Sequence, residues 1–223
     1  MTPAATATRT PAAWAGHLYD DAILAGQGPL FLRRDDGWML PLPVERWCEP
    51  PDAADTGLLR RCGGAVLDIG CGPGRFVTAL HQRGRPVLGV DVSLAAVART
   101  VETGAPAVRG SIFDPVPEEG RWDTALLADG NIGIGGDVAR LLRRVAQVVH
   151  PDGRLLAELA YDDVDETLSV RVDDGDGRSG AAFPWARVGA SAAERYASVA
   201  GWRIAETWCH EASRRRFVCL RLT

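Results

Sequence analysis

The sequence of 223 residues predicts an α/β fold, with a doubly wound, mostly parallel sheet that ends in an antiparallel strand. Between residues 63 and 160, short apolar runs alternate with amphipathic segments at the spacing of strands and helices in a parallel sheet. In the last part, 190–223, a helical segment precedes two strand-like segments joined by a short polar link, the pattern of an antiparallel pair. The length fits one domain with a full hydrophobic core.

The segment ahead of the sheet, 14–62, is predicted to be a cap made of a helix, a hairpin and two short helices. The first helix is expected over 14–27, where glycines follow its end. The stretch PLFLRRDDGWMLPLP indicates a hairpin that turns at Asp36-Gly37. The short helices follow at VERWC and DAADTGLLRR. Residues 1–13 lack apolar periodicity and are predicted to be a disordered tail.

The central elements follow in order from residue 65. Strands are predicted at AVLDIG, PVLGVDV, PAVRGSIF, WDTALLAD and RLLAELA, with helices at RFVTALHQRG, SLAAVARTVETG and DVARLLRRVAQVVH. Ser93 and Asp137 stand where they can cap the second and third helices. The segment 161–189 is predicted to be an inserted hairpin around the loop DDGDGRSG.

Composition excludes several classes of function. The net charge of −4 argues against a nucleic-acid-binding surface, and the basic run at 214–216 is predicted to be a solvated strand end or turn. No apolar run reaches the length of a membrane span, and the N-terminus lacks the pattern of a signal peptide. Five cysteines, with no C-x-x-C pair, favour a reducing, cytoplasmic location over a disulfide framework or zinc site.

A glycine-rich loop follows the first buried strand, with glycines at the alternate positions 70, 72 and 74. Ligands of an open parallel sheet bind outside the carboxyl ends of its strands, where glycines let the backbone approach a ligand closely. The following helix points its N-terminal amides at the same place. Asp91 ends the next strand, where a carboxylate can accept hydrogen bonds from both hydroxyls of a ribose. The arrangement suits an adenosine-bearing cofactor.

The spacing of the glycines distinguishes among such cofactors. The dinucleotide fingerprint G-x-G-x-x-G fails because its last position is Arg75 or Val77, and the phosphate-loop motif is absent. The observed D-x-G-x-G-x-G, from Asp68 to Gly74, resembles that of the class I S-adenosylmethionine-dependent methyltransferases, which have a Rossmann-like fold. The spacing to Asp91 and the segments GRWDTALLADGNI and HPDGRLLAEL are also similar to that family's. The resemblance covers 60–160 well and 190–223 loosely.

The resemblance implies that the chain binds S-adenosylmethionine and releases S-adenosylhomocysteine. The implied cofactor contacts are Asp68, Gly70, Cys71, Gly72, Gly74, Asp91, Val92, Ser111, Ile112, Ala128 and Asp129. Ser111 stands where many members carry an aspartate, so its contact with the adenine is expected to be weaker. Asp129 and Asn131 are candidate catalytic residues that position the reactants.

The expected acceptor is a small molecule whose attacking atom, oxygen, nitrogen or carbon, is left open. The loop ADGNIG replaces the N-P-P-Y-type loop with which some relatives hold an amide or base nitrogen. His17, Tyr19 and His210 are candidates for the substrate pocket. Two alternatives remain open, a non-methylating or non-catalytic adenosylmethionine-binding protein and a nicotinamide oxidoreductase. No metal site is expected, and the oligomeric state cannot be inferred.

A divalent-metal variant of the reaction is a minor alternative. Such a variant needs acidic residues after the fourth and fifth strands of the predicted sheet, because hard cations prefer oxygen ligands. Asp129, Asp162 and Asp163 are the residues that would supply them. The simpler interpretation is that Asp129 handles the cofactor or substrate and that Asp162 and Asp163 form a solvated turn.

Overall fold

A seven-stranded sheet forms the centre of the structure, a computed structural model that describes residues 17–223. Its strands, in spatial order, are β10 (Trp202–His210), β11 (Arg215–Leu222), β7 (Val149–Leu159), β6 (Trp122–Leu127), β3 (Val66–Ile69), β4 (Val87–Asp91) and β5 (Ala107–Arg109). The five strands from β7 to β5 pair in parallel, and β11 runs antiparallel between β7 and β10. The predicted α/β fold class is therefore confirmed.

Helices cover both faces of this sheet. The α-helices of the described residues, on these faces and in the cap, are α1 (His17–Ala25), α2 (Val44–Cys48), α3 (Ala53–Arg61), α4 (Arg75–Gln82), α5 (Leu94–Glu102), α6 (Val138–Val148) and α7 (Ala190–Val199). One hydrophobic core joins the sheet to α6 and α7, and a second joins the opposite face to α3 and α4. As predicted, Ser93 caps α5 and Asp137 caps α6, each side chain accepting a hydrogen bond from a backbone N–H three residues later. Short 3₁₀ helices lie at Asn131–Gly133 and Glu211–Ser213.

The two hairpins predicted from the sequence form a single four-stranded sheet. Its order is β2 (Met39–Pro41), β1 (Phe31–Arg33), β8 (Asp165–Asp173) and β9 (Phe183–Val188), with β1 and β8 antiparallel. A third core packs this sheet against α1. A single β-bridge between Ile134 and Trp185 joins the sheet to the loop that follows β6. The cap and the 161–189 hairpin therefore make one layer beside the carboxyl ends of the central strands.

Two expectations for the ends of the chain differ from the structure or fall outside it. The predicted tail, 1–13, and the start of the first helix lie outside the described residues. The arginine run at 214–216 is not simply a solvated turn, because Arg215 is buried while Arg214 is exposed. Successive side chains of a strand point to opposite faces, and Arg215 of β11 points towards buried carboxylates. Its charge is therefore matched inside the protein. Among the described residues, no helix is long and apolar enough to cross a membrane.

Candidate active site

An open cavity, with about 960 Å³ of empty space when its mouth is included, lies at the carboxyl ends of β3, β4, β5 and β6. Its floor consists of the residues at these strand ends and the glycine loop, and its cover comes from α1, α2 and the four-stranded sheet. This is where an open α/β sheet binds its ligands.

The glycine loop has a backbone that only glycine adopts easily at two critical points. Gly70 has a φ of +70°, and a Cβ atom there would lie 2.7 Å from the side-chain amide nitrogen of Asn131. Gly74 has a φ of +86° and precedes α4, where a Cβ atom would lie 2.5 Å from Thr100. Glycine at 70 therefore permits close approach to the cavity, whereas glycine at 74 permits packing behind it.

Asp91 is buried beneath this loop with both carboxylate oxygens engaged. One oxygen accepts a hydrogen bond from the Gly72 N–H and the other from the Ser93 N–H, each at 2.8 Å. Burial raises the pKa of Asp91, and the two backbone donors oppose that shift. Each carboxylate oxygen accepts more than one hydrogen bond, so both retain capacity for a ligand's hydroxyl groups.

Asp68 presents an unmatched acceptor to the cavity. Its side chain is buried in the cavity floor, and its Oδ2 atom has no hydrogen-bond partner among the described residues. Burial, together with the Asp129 and Asp91 carboxylates, raises the pKa of Asp68 to about 7, and Arg75 opposes this shift. A buried acceptor without a partner is costly, so this carboxyl is suited to a cationic ligand.

Arg75, the first residue of α4, lies across the cavity floor and binds two carboxylates. It donates to Asp55 at 2.7 Å and to Asp129. The other carboxylate oxygen of Asp129 accepts from Arg46 of α2 at 2.7 Å. The Nε atoms of Arg75 and Arg46 are buried without a partner among the described residues. Both Asp129 oxygens are thus neutralised by arginines, which suits a positioning role better than proton transfer.

Asn131 links the loop after β6 to the glycine loop. Its side-chain amide donates to the backbone carbonyls of Ile69 at 3.0 Å and Gly70 at 2.8 Å. The residue lines the cavity, and its amide group holds the wall in place. The structure thus connects Asn131 to the glycine loop, and its role in positioning the reactants stays a prediction.

Most of the other predicted site residues also lie in the cavity lining. Cys71, Val92, Ser111, Ile112, Ala128 and Tyr19 all line it. Burial raises the pKa of the Cys71 thiol, which therefore stays protonated.

Two of the three candidates for the substrate pocket lie away from the cavity lining. His17 is exposed on α1, because the turn of the helix places it away from Tyr19, and His210 bonds to Ser213 at the far end of β10. Asp163 accepts from Ser191 at the start of α7 instead of facing a metal site. Residues 17–223 contain no group of His, Cys, Asp or Glu side chains arranged to hold a metal ion.

Several residues of the lining are not among the site residues predicted from the sequence. Arg75 breaks the dinucleotide fingerprint and begins the predicted helix, but nothing near it in the sequence indicates its bonds to Asp55 and Asp129. Four other residues, Leu42, Trp47, Ile134 and Trp185, enter the lining from the cap, the loop after β6 and the inserted hairpin. Their positions depend on long-range packing, so no local pattern marks them.

Comparison with known proteins gives consistent matches. A family model described as "Methyltransferase domain" matches residues 46–218. An uncharacterized methyltransferase of Mycobacterium bovis is 34% identical over 126 residues, 53% of this chain and 48% of that protein. The chain spans about half the length of the curated relatives it matches.

Solved methyltransferase structures share the fold of this chain. A SAM-dependent methyltransferase of Bacteroides fragilis, solved with S-adenosyl-L-homocysteine, is 22% identical, with a TM-score of 0.78 over 96% of this chain and 97% of its own. The 1,6-didemethyltoxoflavin-N1-methyltransferase of Burkholderia thailandensis is 18% identical, with a TM-score of 0.56 over 75% of this chain and 74% of its own. The match to the family model begins in α2 and extends through the inserted hairpin, further than the sequence motifs indicated. The chain belongs to the methyltransferase domain family and has the Rossmann-like fold of the class I S-adenosylmethionine-dependent enzymes.

Proposed function

We propose that this protein binds S-adenosylmethionine and transfers its methyl group to a small-molecule acceptor. The main support is a pair of buried, unmatched groups of opposite character beside the glycine loop, Asp68 Oδ2 and Arg75 Nε. An amino acid presents an ammonium and a carboxylate, which such a pair complements. The methionine end of the cofactor has both groups. The phosphates of a nicotinamide dinucleotide, in contrast, are anions and would not need a carboxylate such as Asp68.

The remaining predicted contacts fit the rest of this cofactor. Asp91 would accept hydrogen bonds from the ribose hydroxyls while it holds the Gly72 amide. Val92 and Ile112 would enclose the adenine, with Ser111 beside it. The bound cofactor would supply an electrophilic methyl group on its sulfonium, and the protein would align the acceptor and exclude water. Asp129 would keep Arg75 and Arg46 in place for the methionine carboxylate.

A small-molecule acceptor is favoured by the concave, largely apolar cavity. The Burkholderia thailandensis methyltransferase was solved with bound 1,6-didemethyltoxoflavin, a small molecule. We further propose a cytoplasmic location, because all five cysteines are free. The net charge of −4 does not favour a nucleic-acid partner.

Two measurements test this function. Titration calorimetry should show binding of S-adenosylhomocysteine and no comparable binding of NAD. Incubation of the protein with cofactor that carries an isotopically labelled methyl group and an extract of the producing cells should then label a small molecule. Binding of NAD alone would overturn the cofactor assignment. Cofactor binding with no labelled product from any extract would instead support a non-catalytic binding protein.

Cofactor affinity should depend on pH through Asp68. The carboxyl has a pKa raised to about 7 by burial, so in the free protein it is largely protonated below that pH. An ammonium ligand needs the ionised form, and affinity should therefore fall as pH drops below 7, by up to about tenfold per pH unit.

Calorimetric titration of S-adenosylhomocysteine at several pH values from about 5.5 to 8 measures this effect. The matched variant Asp68→Asn keeps the shape of the side chain but cannot ionise, so its affinity should be lower and nearly independent of pH. The free protein should show the reverse dependence in its unfolding free energy. Because the folded pKa is above the unfolded value, the contribution of Asp68 to stability declines as pH rises towards 7. Equal pH profiles for the two proteins would contradict the assignment.

Removal of the Asn131 amide should loosen the glycine loop. Asn131→Ala deletes the two hydrogen bonds to the Ile69 and Gly70 carbonyls. We expect cofactor affinity to fall about 3- to 30-fold, the equivalent of one or two neutral hydrogen bonds. Asn131→Asp is the matched control for donor chemistry, because it keeps the shape but places an anion against two carbonyls. Affinity in Asn131→Asp that equals the wild-type value would contradict the role of the amide.

A further inference from the structure

We infer that the methyl acceptor is a flat, uncharged molecule and that one of its atoms accepts a hydrogen bond from the indole N–H of Trp47. This inference rests on the proposed function, because it concerns the part of the same cavity that the cofactor would leave free. It names the chemical class of the acceptor and a residue that distinguishes among members of that class.

The cover of the cavity differs in chemistry from its floor. Among residues 17–223, the charged lining residues are Asp68, Arg75, Asp91 and Asp129, all at strand ends or at the start of α4. The side chains that enter from the cover and the loop after β6 are Tyr19, Leu42, Trp47, Ile134 and Trp185. None of these five carries a charge at neutral pH, since burial raises the pKa of Tyr19 still further. This apolar wall, defined by the five residues, offers nothing to neutralise an ionised acceptor.

Two aromatic side chains of the apolar wall come from separate elements. Trp47 lies on α2, and its ring is 6.3 Å from that of Tyr19 at an interplanar angle of 55°. Trp185 lies on β9, is buried, and meets Phe183 edge to face with ring centroids 6.4 Å apart. The β-bridge of Ile134 to Trp185 holds β9 against the loop after β6. Rigid aromatic surfaces of this kind favour flat ligands.

Trp47 also provides an unmatched donor in this apolar wall. Its Nε1 atom is buried and has no hydrogen-bond partner among residues 17–223. A buried indole N–H normally finds a partner, because an unpaired donor loses its hydrogen bond to water. A carbonyl oxygen or a ring nitrogen on the acceptor would provide that partner without introducing a charge.

The proposal is tested with three fused-ring probes of similar size. 6-Hydroxyquinoline is flat and neutral and has a ring nitrogen, 2-naphthol lacks that nitrogen, and 6-hydroxy-2-naphthoate adds a negative charge. Each is titrated calorimetrically into protein saturated with S-adenosylhomocysteine. We expect both neutral probes to bind at least about tenfold more tightly than the naphthoate, because a charge would be desolvated without a counter-ion. Tightest binding by the naphthoate would overturn the inference.

Trp47→Phe isolates the indole N–H, because it keeps an aromatic ring at the position. This variant should lose about 3- to 10-fold in affinity for 6-hydroxyquinoline, as for one neutral hydrogen bond, and change little for 2-naphthol. Trp208→Phe is the matched control, because Trp208 on β10 also has a buried indole N–H without a partner but does not line the cavity. It should bind all three probes as the wild type does. Equal losses for the two neutral probes, or none, in Trp47→Phe would overturn the assignment of Trp47.

A second variant keeps the inference testable if Trp47→Phe does not fold. Leu42→Lys places a cation in the half-buried edge of the apolar wall and should reverse the preference between 2-naphthol and the naphthoate. An unchanged preference would show that the probes bind elsewhere and would overturn the inference. The initial titration with S-adenosylhomocysteine separates the two proposals. Its failure overturns the proposed function together with this inference, whereas failure of the probes alone overturns only the acceptor class.

Discussion

Replacement of Asp55 by alanine should lower the free energy of unfolding by about 3–5 kcal/mol, the range for the loss of one partner from a buried ion pair. Asp55 is fully buried on α3 and accepts from Arg75 and from Arg215, each at 2.7 Å. Its side chain also accepts from the Asp52 N–H at the start of α3. Without the carboxylate, two buried guanidinium groups lose a common counter-ion.

The loss should be large because the neighbouring carboxylates are already engaged. Glu158 binds Arg215 through both oxygens and accepts from the Asp129 N–H, and Asp129 binds Arg75 and Arg46. Arg75 would keep only Asp129, which it shares with Arg46, and Arg215 would keep Glu158 and its longer contacts to Asp52 at 3.4 Å. The variant should also bind cofactor less tightly, since Arg75 would no longer be held against the cavity floor.

Urea unfolding followed by circular dichroism measures the change in stability. Asp165→Ala is the matched control, because Asp165 accepts from Arg195 at 2.8 Å and from the Tyr196 hydroxyl at 2.9 Å on the surface of the protein. That pair should contribute no more than about 1 kcal/mol. If Asp55→Ala proved as mild as Asp165→Ala, the buried network would not stabilise the fold in the way its geometry indicates.

Replacement of Asp91 by alanine should weaken cofactor binding by about 1.5–3 kcal/mol, the range for hydrogen bonds to a charged group. This corresponds to roughly 10- to 150-fold in affinity. Two effects contribute, since the ribose would lose its acceptor and the Gly72 and Ser93 amides would lose the group that orders them. Calorimetric titration of S-adenosylhomocysteine measures the change, with the melting temperature as a check on folding.

Asp91→Asn provides a graded comparison. It keeps one acceptor oxygen, replaces the other with an amide donor and removes the charge, so its affinity should fall between those of the wild type and Asp91→Ala. A folded Asp91→Ala variant with wild-type affinity would show that the ribose does not lie over this strand end. Loss of binding together with a collapse in melting temperature would show that Asp91 serves mainly to fold the glycine loop.

The amino-acid sequence was sufficient to predict the order of strands and helices along the chain and the loop at which the sheet is expected to bind a ligand. Alternating apolar and amphipathic segments predict strands and helices locally, and the glycines mark the loop where one buried strand meets its helix. The caps at Ser93 and Asp137 were also predictable, because each acts on its own helix. Information about these features lies within about twenty residues of the chain, where spacing and side-chain type are sufficient.

Contacts between segments far apart in sequence depend on the folded structure. This structure joins the two hairpins into one sheet through β1 and β8, and it brings Arg215 to Asp55 and arginines to both oxygens of Asp129. It also placed Trp47 and Trp185 in one cavity lining. The sequence does not reveal whether the partner of a carboxylate or an indole is water, an arginine or a ligand. The role of such a group depends on burial and on which distant residue packs against it, and these are properties of the folded chain.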